Sequence, residues 1–185
     1  MNKSRAARGA RCWIVAAACA AGMPVHAGDA LDMGTSVPEA KAVKEGLFPE
    51  DACKELEAAG YKCMGFKPAV RYSLPASTFR IGSAELPDLL RKQLDVFAEV
   101  LRTKKGSTQT VRIEGHADAS GKPEVNDVLS QKRAEAVKAY LVGQGADAQM
   151  LQAVGVGAKD PKVADKPFAA ENRRVEIGRD KPPAQ

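Results

Sequence analysis

Asp118 and Arg133 are the residues whose types and placement point most directly to chemistry. Asp118 lies in Gly115-His116-Ala117-Asp118-Ala119-Ser120-Gly121, where the flanking glycines permit tight turns that present a carboxylate. Arg133 lies in Asn126-Asp127-Val128-Leu129-Ser130-Gln131-Lys132-Arg133-Ala134. It is spaced by four from Leu129 and Val137, so on a helix its guanidinium lines up with core-facing side chains. An arginine in that position requires a partner. A carboxylate accepts hydrogen bonds from cations and a guanidinium donates a fork to carboxylates, so the couple offers charge-assisted binding. Spacing alone leaves two readings open: the pair faces a ligand, or it steadies the loop as an internal salt bridge.

The neighbouring polar residues carry similar pairs of readings. Asn126 either lines the same site or caps the helix. Arg173 and Arg174 would alternate sides of a strand, which makes one of them surface charge. His116 reads as structural, because its loop offers no further ligands for a metal. Gly155-x-Gly157, followed by Pro161, lacks the glycines and the strand-to-helix setting of a nucleotide loop and reads as a turn. There is no Ser or Cys nucleophile signature, no second carboxylate placed for glycosidase work and no zinc ligand set. The chain therefore reads as a non-enzyme without a cofactor, the competing class being a hydrolase that uses Asp118 with His116 as acid and base.

The elements that must position these residues follow from periodicity. Val70-Arg71-Tyr72-Ser73-Leu74 alternates as a strand, closed by Pro75. After a loop holding Phe79 and Ile81, Ser83 is expected to cap a helix whose apolar stripe is Leu90, Leu94, Phe97 and Leu101, ending at Gly106. Thr110 to Glu114 is the next strand, terminated by Gly115. A second helix runs from Asn126 or Ser130 to Val142 and buries Leu129, Val137, Tyr140 and Leu141. Leu151 to Val156 and Arg173 to Ile177 supply two further strands. The order β-α-β-α-β-β predicts an α+β fold, a two-layer sandwich of helices on a mixed β-sheet, over residues 69–178, with 179–185 a polar tail.

Upstream, Lys3, Arg5, Arg8 and Arg11 precede an apolar run from Cys12 to Ala21 and the small-residue site Val25-His26-Ala27. That pattern predicts a signal peptide over 1–27, cut before Gly28, and export to the periplasm. Ala17-Ala18-Cys19 faintly resembles a lipoprotein site, so lipid attachment at Cys19 is the alternative. Nothing after the leader is long and apolar enough to span a membrane. The whole chain carries 28 Lys+Arg against 23 Asp+Glu, and loss of the basic leader brings it close to neutral, which removes any charge argument for nucleic acid. Cys53 and Cys63 remain in an oxidising compartment and are expected to pair. Residues 28–68 are expected to be an N-terminal extension that recruits an envelope protein partner. Within it, Gly28 to Gly46 reads as a mobile leader, and a short helix runs from Pro49 to Ala59, stopped by Gly60.

Asn126-x-x-Leu129-Ser130-x-x-Arg133-Ala134-x-x-Val137-x-x-x-Leu141 resembles the signature of the OmpA-like peptidoglycan-binding domain. Gly115-His116-x-Asp118-x-x-Gly121 is similar to its preceding loop and Asn172-Arg173-Arg174-Val175-Glu176 to its closing strand, so the likeness runs from Ala69 to Ile177. The resemblance implies a Gram-negative wall-binding module that holds the diaminopimelate residue of the peptidoglycan stem peptide. It places Asp118 and Arg133 on the free amino-acid end of that residue, with Asn126, Arg173 and Arg174 lining the cleft. That end bears an ammonium and a carboxylate on one carbon, which one anion and one forked cation complement. Ala117, Val125 and Phe168-Ala169-Ala170 depart from the usual Thr, Tyr and Gly-Arg-Ala.

Overall fold

The computed structural model describes residues 30–65, 67–75, 79, 80 and 82–179. The expected signal peptide, the alternative site at Cys19, Ile81 and the polar tail beyond Arg179 lie outside the described residues. In chain order the elements are β1 (Leu31–Asp32), α1 (Ala40–Leu47), α2 (Glu50–Ala58), β2 (Tyr72–Pro75), α3 (Asp88–Arg102), β3 (Val111–His116), α4 (Pro123–Gly143), β4 (Leu151–Gly157) and β5 (Arg174–Arg179). They form an α+β fold in which a mixed sheet has the order β1-β2-β5-β3-β4. The two outer pairs, β1 with β2 and β3 with β4, are parallel, and β5 runs antiparallel to both of its neighbours.

One face of the sheet supplies Leu74, Val111, Ile113, Leu151, Val175 and Ile177 to the core. Leu90, Leu94, Phe97 and Leu101 of α3 and Ala134, Val137 and Leu141 of α4 belong to the same buried cluster. Each such leucine or phenylalanine contributes about 1.5–3 kcal/mol through apolar burial, so these stripes account for the seating of both helices. α4 is drawn onto β4 by polar contacts as well: Gly155 N donates to Gln131 Oε1 at 2.6 Å and Gly157 N to Ser130 Oγ at 2.9 Å. Gly115 does not end β3, which continues to His116. A Cβ at Gly115 would overlap the Ser130 carbonyl, so glycine there lets helix and strand approach.

Both long helices start where a proline permits. α3 begins at Asp88 behind Pro87, not at Ser83, whose Oγ instead accepts from Glu85 N at 3.0 Å in a local turn. α4 begins with Pro123, which lacks the N–H that a first turn leaves unsatisfied, so Asn126 sits inside the helix and does not cap it.

Residues 30–46, read from sequence as a mobile leader, pack with the following Leu47 and Phe48 onto the domain. β1 pairs with β2, and Gln93 Nε2, from buried α3, donates to Gly34 O at 3.1 Å and Ser36 O at 2.8 Å. Val43, Leu47 and Phe48 are buried in the common core. Tyr72 stacks edge-on against Phe97 at 5.3 Å and donates to Ala42 O at 2.9 Å. Three well-placed apolar side chains outweigh the sparse composition of the segment. The next segment differs: α2 buries none of its residues, and the Cys53–Cys63 disulfide ties it to the chain heading for β2. A bridge across so short a loop stabilises by about 2.5–3 kcal/mol on the chain-entropy account.

Candidate functional site

The loop after β3 is held on three sides. Ala117 N donates to Gly157 O at 2.8 Å, Ala119 N to Pro167 O at 2.9 Å, and Asn126 Nδ2 to Asp118 O at 2.9 Å and Gly121 O at 3.3 Å. Asn126 thus fixes the backbone that carries Asp118. The carboxylate of Asp118 is then committed locally. Oδ1 accepts from Ser120 N at 3.0 Å and from the Ser120 hydroxyl, and Oδ2 accepts from Arg173 Nη1 at 2.5 Å. Burial alone would raise its pKa, but the hydrogen bonds from Ser120 and Arg173 outweigh it and hold the carboxyl below its ordinary 3.8.

Arg133 projects from α4 at 1% exposure, beneath the same end of the sheet. Its Nε donates to Ser83 O at 3.0 Å, and its guanidinium lies 4.8 Å from the centre of the Phe79 ring. Among the described residues no carboxylate oxygen comes within 4.0 Å of it, so Asp118 and Arg133 do not pair directly. Burial, then the charge of Arg173, disfavours the protonated guanidinium, while Asp118 favours it. The structure therefore brings together one carboxylate, two guanidiniums and the Asn126 amide. The buried guanidinium still has forked donor capacity for a carboxylate.

Arg174 is not part of this group. It starts β5 on the other face of the sheet, where its Nε donates to Glu176 Oε1 at 2.6 Å and its Nη1 to Asp160 O at 3.1 Å. Strand alternation separates it from Arg173, which precedes the strand and turns to Asp118. Around Arg174 lies a second charged cluster: Arg71 bridges Glu114 and Glu176, and Arg112 Nε bonds Glu114 at 2.5 Å. His116 is fully buried beside it, with neither ring nitrogen hydrogen-bonded among the described residues and Nε2 at 3.9 Å from Glu114 and 4.0 Å from Glu176. Burial, reinforced by the charge of Arg174, pushes the His116 pKa down to about 4, so the ring is neutral at pH 7. Glu114, His116 and Glu176 place donor atoms within 4.8 Å of one another, but every glutamate oxygen there already accepts from an arginine.

Two contributors were not singled out from sequence. Ser120 clamps Asp118 from two residues away, a spacing typical of aspartate turns and so a usable signal. Asn172, fully buried, accepts from Val163 N and donates to Lys166 O and Pro167 O, pinning the loop that carries Arg173; no local pattern announces that role.

The model of the OmpA family matches residues 78–174, just over half of the chain and every residue of this site. The chain belongs to the OmpA family. Among its relatives is the peptidoglycan-associated lipoprotein of Pseudomonas aeruginosa, 41% identical over 101 residues that make up 54% of this chain and 58% of that protein. A probable lipoprotein of Escherichia coli, YiaD, is 35% identical over 54% of this chain and 46% of its own length. The chain thus spans about half the length of these relatives. Among solved structures, the peptidoglycan-associated lipoprotein of Burkholderia pseudomallei superposes with a TM-score of 0.51 at 28% identity, covering 58% of this chain and 89% of that one. The periplasmic domain of Helicobacter pylori MotB shares the fold, with a TM-score of 0.51 at 18% identity over 60% and 83%.

Proposed function

We propose that this OmpA-family chain is a non-catalytic module that holds peptidoglycan in the periplasm through the diaminopimelate of the stem peptide. The carrying observation is the buried Arg133 guanidinium, which among the described residues has no carboxylate oxygen within 4.0 Å yet still feels the charge of the loop-borne Asp118. In this reading Arg133 forks onto the carboxylate of the ligand's free end and Asp118 takes the ammonium, while Asn126 keeps the Asp118 loop in place. Charge-assisted hydrogen bonds of this kind contribute about 1.5–3 kcal/mol each. A single contact is weak, and retention relies on the many copies in a polymeric wall. The names of the relatives, peptidoglycan-associated lipoproteins, support the same assignment.

A hydrolase built on Asp118 and His116 fits the geometry poorly. His116 is sealed in the cluster on the other sheet face, and Asp118 is held ionised by Ser120 and Arg173. Co-sedimentation with purified sacculi tests the proposal: the parent pellets, Asp118→Ala and Arg133→Ala stay in the supernatant, and no soluble fragments are released. Pelleting of both variants like the parent would remove the assignment.

A second reading concerns a protein partner. Val43, Leu47 and Phe48 anchor residues 30–48 to the core, and we assign recruitment of an envelope protein to the disulfide-tied segment that follows. Leu56, Tyr61 and the 90% exposed Met64 stand out from it into solvent. Tyr61→Ser with Met64→Ser should abolish pull-down of any such partner without altering sedimentation with sacculi.

A further inference from the structure

The three charged groups of the site differ sharply in how they are held. Arg133 is immobilised by its ring contact and its bond to Ser83 O, and the Asp118 side chain is 8% exposed on a loop bonded from three directions. The Arg173 side chain is 31% exposed and meets Asp118 through a single nitrogen. Its backbone stays put, because the adjacent Asn172 anchors the loop, but it lies before β5 and outside the sheet. Arg173 is therefore the member that can move.

Asp118 also has no oxygen without a donor. Oδ1 serves Ser120 twice and Oδ2 serves Arg173. An incoming ammonium at Oδ2 either shares that oxygen with a guanidinium, which sets like charges side by side, or replaces it. Two guanidiniums against one carboxylate already leave the site with excess positive charge, which opposes a further cation until one moves away.

Resting on the reading proposed above, we infer that Arg173 is the resident counter-ion of Asp118, displaced when an ammonium-bearing ligand binds, and that it sets affinity by competition. The family resemblance implies the reverse, a contact whose loss weakens binding. In the displaced state Arg133 supplies the carboxylate fork, so the ligand gains nothing it needs from Arg173. The residue is a positioning residue: it keeps Asp118 ionised and oriented in the empty site and yields on binding.

Calorimetric titration with the soluble tripeptide L-alanyl-D-glutamyl-meso-diaminopimelate tests this. Arg173→Gln should bind about two- to fivefold more tightly than the parent, the scale of removing one partly exposed ion pair. Arg173→Lys, which restores a cation, should return affinity to the parent value. In the unmodified protein the Arg173 guanidinium nitrogen signals should move towards those of free arginine as tripeptide is added. Affinity of Arg173→Gln that is equal to or weaker than the parent, with an unchanged melting temperature, overturns the inference, as does a guanidinium signal that stays in place at saturation. Asp118→Asn and Arg133→Gln form the separate arm. If they bind like the parent, or the parent does not bind, the site assignment falls whatever Arg173 does.

Discussion

The two faces at one end of the sheet carry charged clusters that differ in balance, three arginines with three carboxylates on one and two arginines with a single carboxylate on the other. On the face away from the helices, Arg71, Arg112 and Arg174 meet Glu114, Glu176 and Asp160, and every glutamate oxygen has an arginine donor. At the loop end, Asp118 faces both Arg173 and the coupled, buried Arg133. Matched charges inside a protein hold their own geometry, whereas an excess buried guanidinium is stabilised fully only when something else supplies an anion. Under the function proposed above, the closed cluster serves as scaffold and the open one as the site.

The largest effect should come from unbalancing the closed cluster. Arg174→Ala leaves Glu176 buried without its close partner and should cost about 3–5 kcal/mol in chemical denaturation, while protein that remains folded still sediments with sacculi. Loss of binding at full stability would erase the distinction between the clusters.

Next is the neutral His116 of the same cluster. Its folded-state pKa of about 4 lies below the 6.5 of the free side chain. The unfolded chain therefore takes up a proton that the folded protein refuses, and stability falls as pH drops from 6.5 to 4, by up to about 3 kcal/mol. His116→Gln should show a flatter melting profile over that window. Asp118, whose pKa is depressed, contributes in the other window: its stabilisation is complete above 3.8 and is lost as pH falls below it.

The open cluster should respond mainly in binding. Arg133→Lys keeps the charge but loses the planar fork and the ring contact, so it should lower stability by about 1 kcal/mol and weaken tripeptide binding by about tenfold or more. The smallest stability change is expected for Asp118→Asn, under about 1 kcal/mol because its partner Arg173 is partly exposed, accompanied by loss of sedimentation. Were Asp118→Asn instead as destabilising as Arg174→Ala, the loop pair would be scaffold too.

Much of the domain was legible because its signals are local. The stripe of α3, the alternation of β2, β3 and β5 and the α+β class follow from periodicity, and the motif around Asp118 and Arg133 pointed to the family. On α4 the stripe held for Val137 and Leu141, whereas Leu129 and Tyr140 are only half-buried. The starts of α3 and α4 were misplaced because Ser83 and Asn126 are good capping types, while the prolines at 87 and 123 decide entry. The leader was misread because Val43, with Leu47 and Phe48 just beyond its expected end, makes too few apolar positions to show a period, and a strand as short as β1 is visible only through its partner β2.

Sequence alone determined which residues carry the charge, which face of each helix is apolar, and that Arg173 and Arg174 must point apart. Only the tertiary structure decided that Asp118 takes Arg173 in place of Arg133, that Arg174 joins Glu176, and that His116 is sealed and neutral. The physical reason is distance along the chain. Periodicity and capping act within a turn or two, whereas ion pairs between residues 118 and 173 depend on how strands β3 and β5 lie side by side.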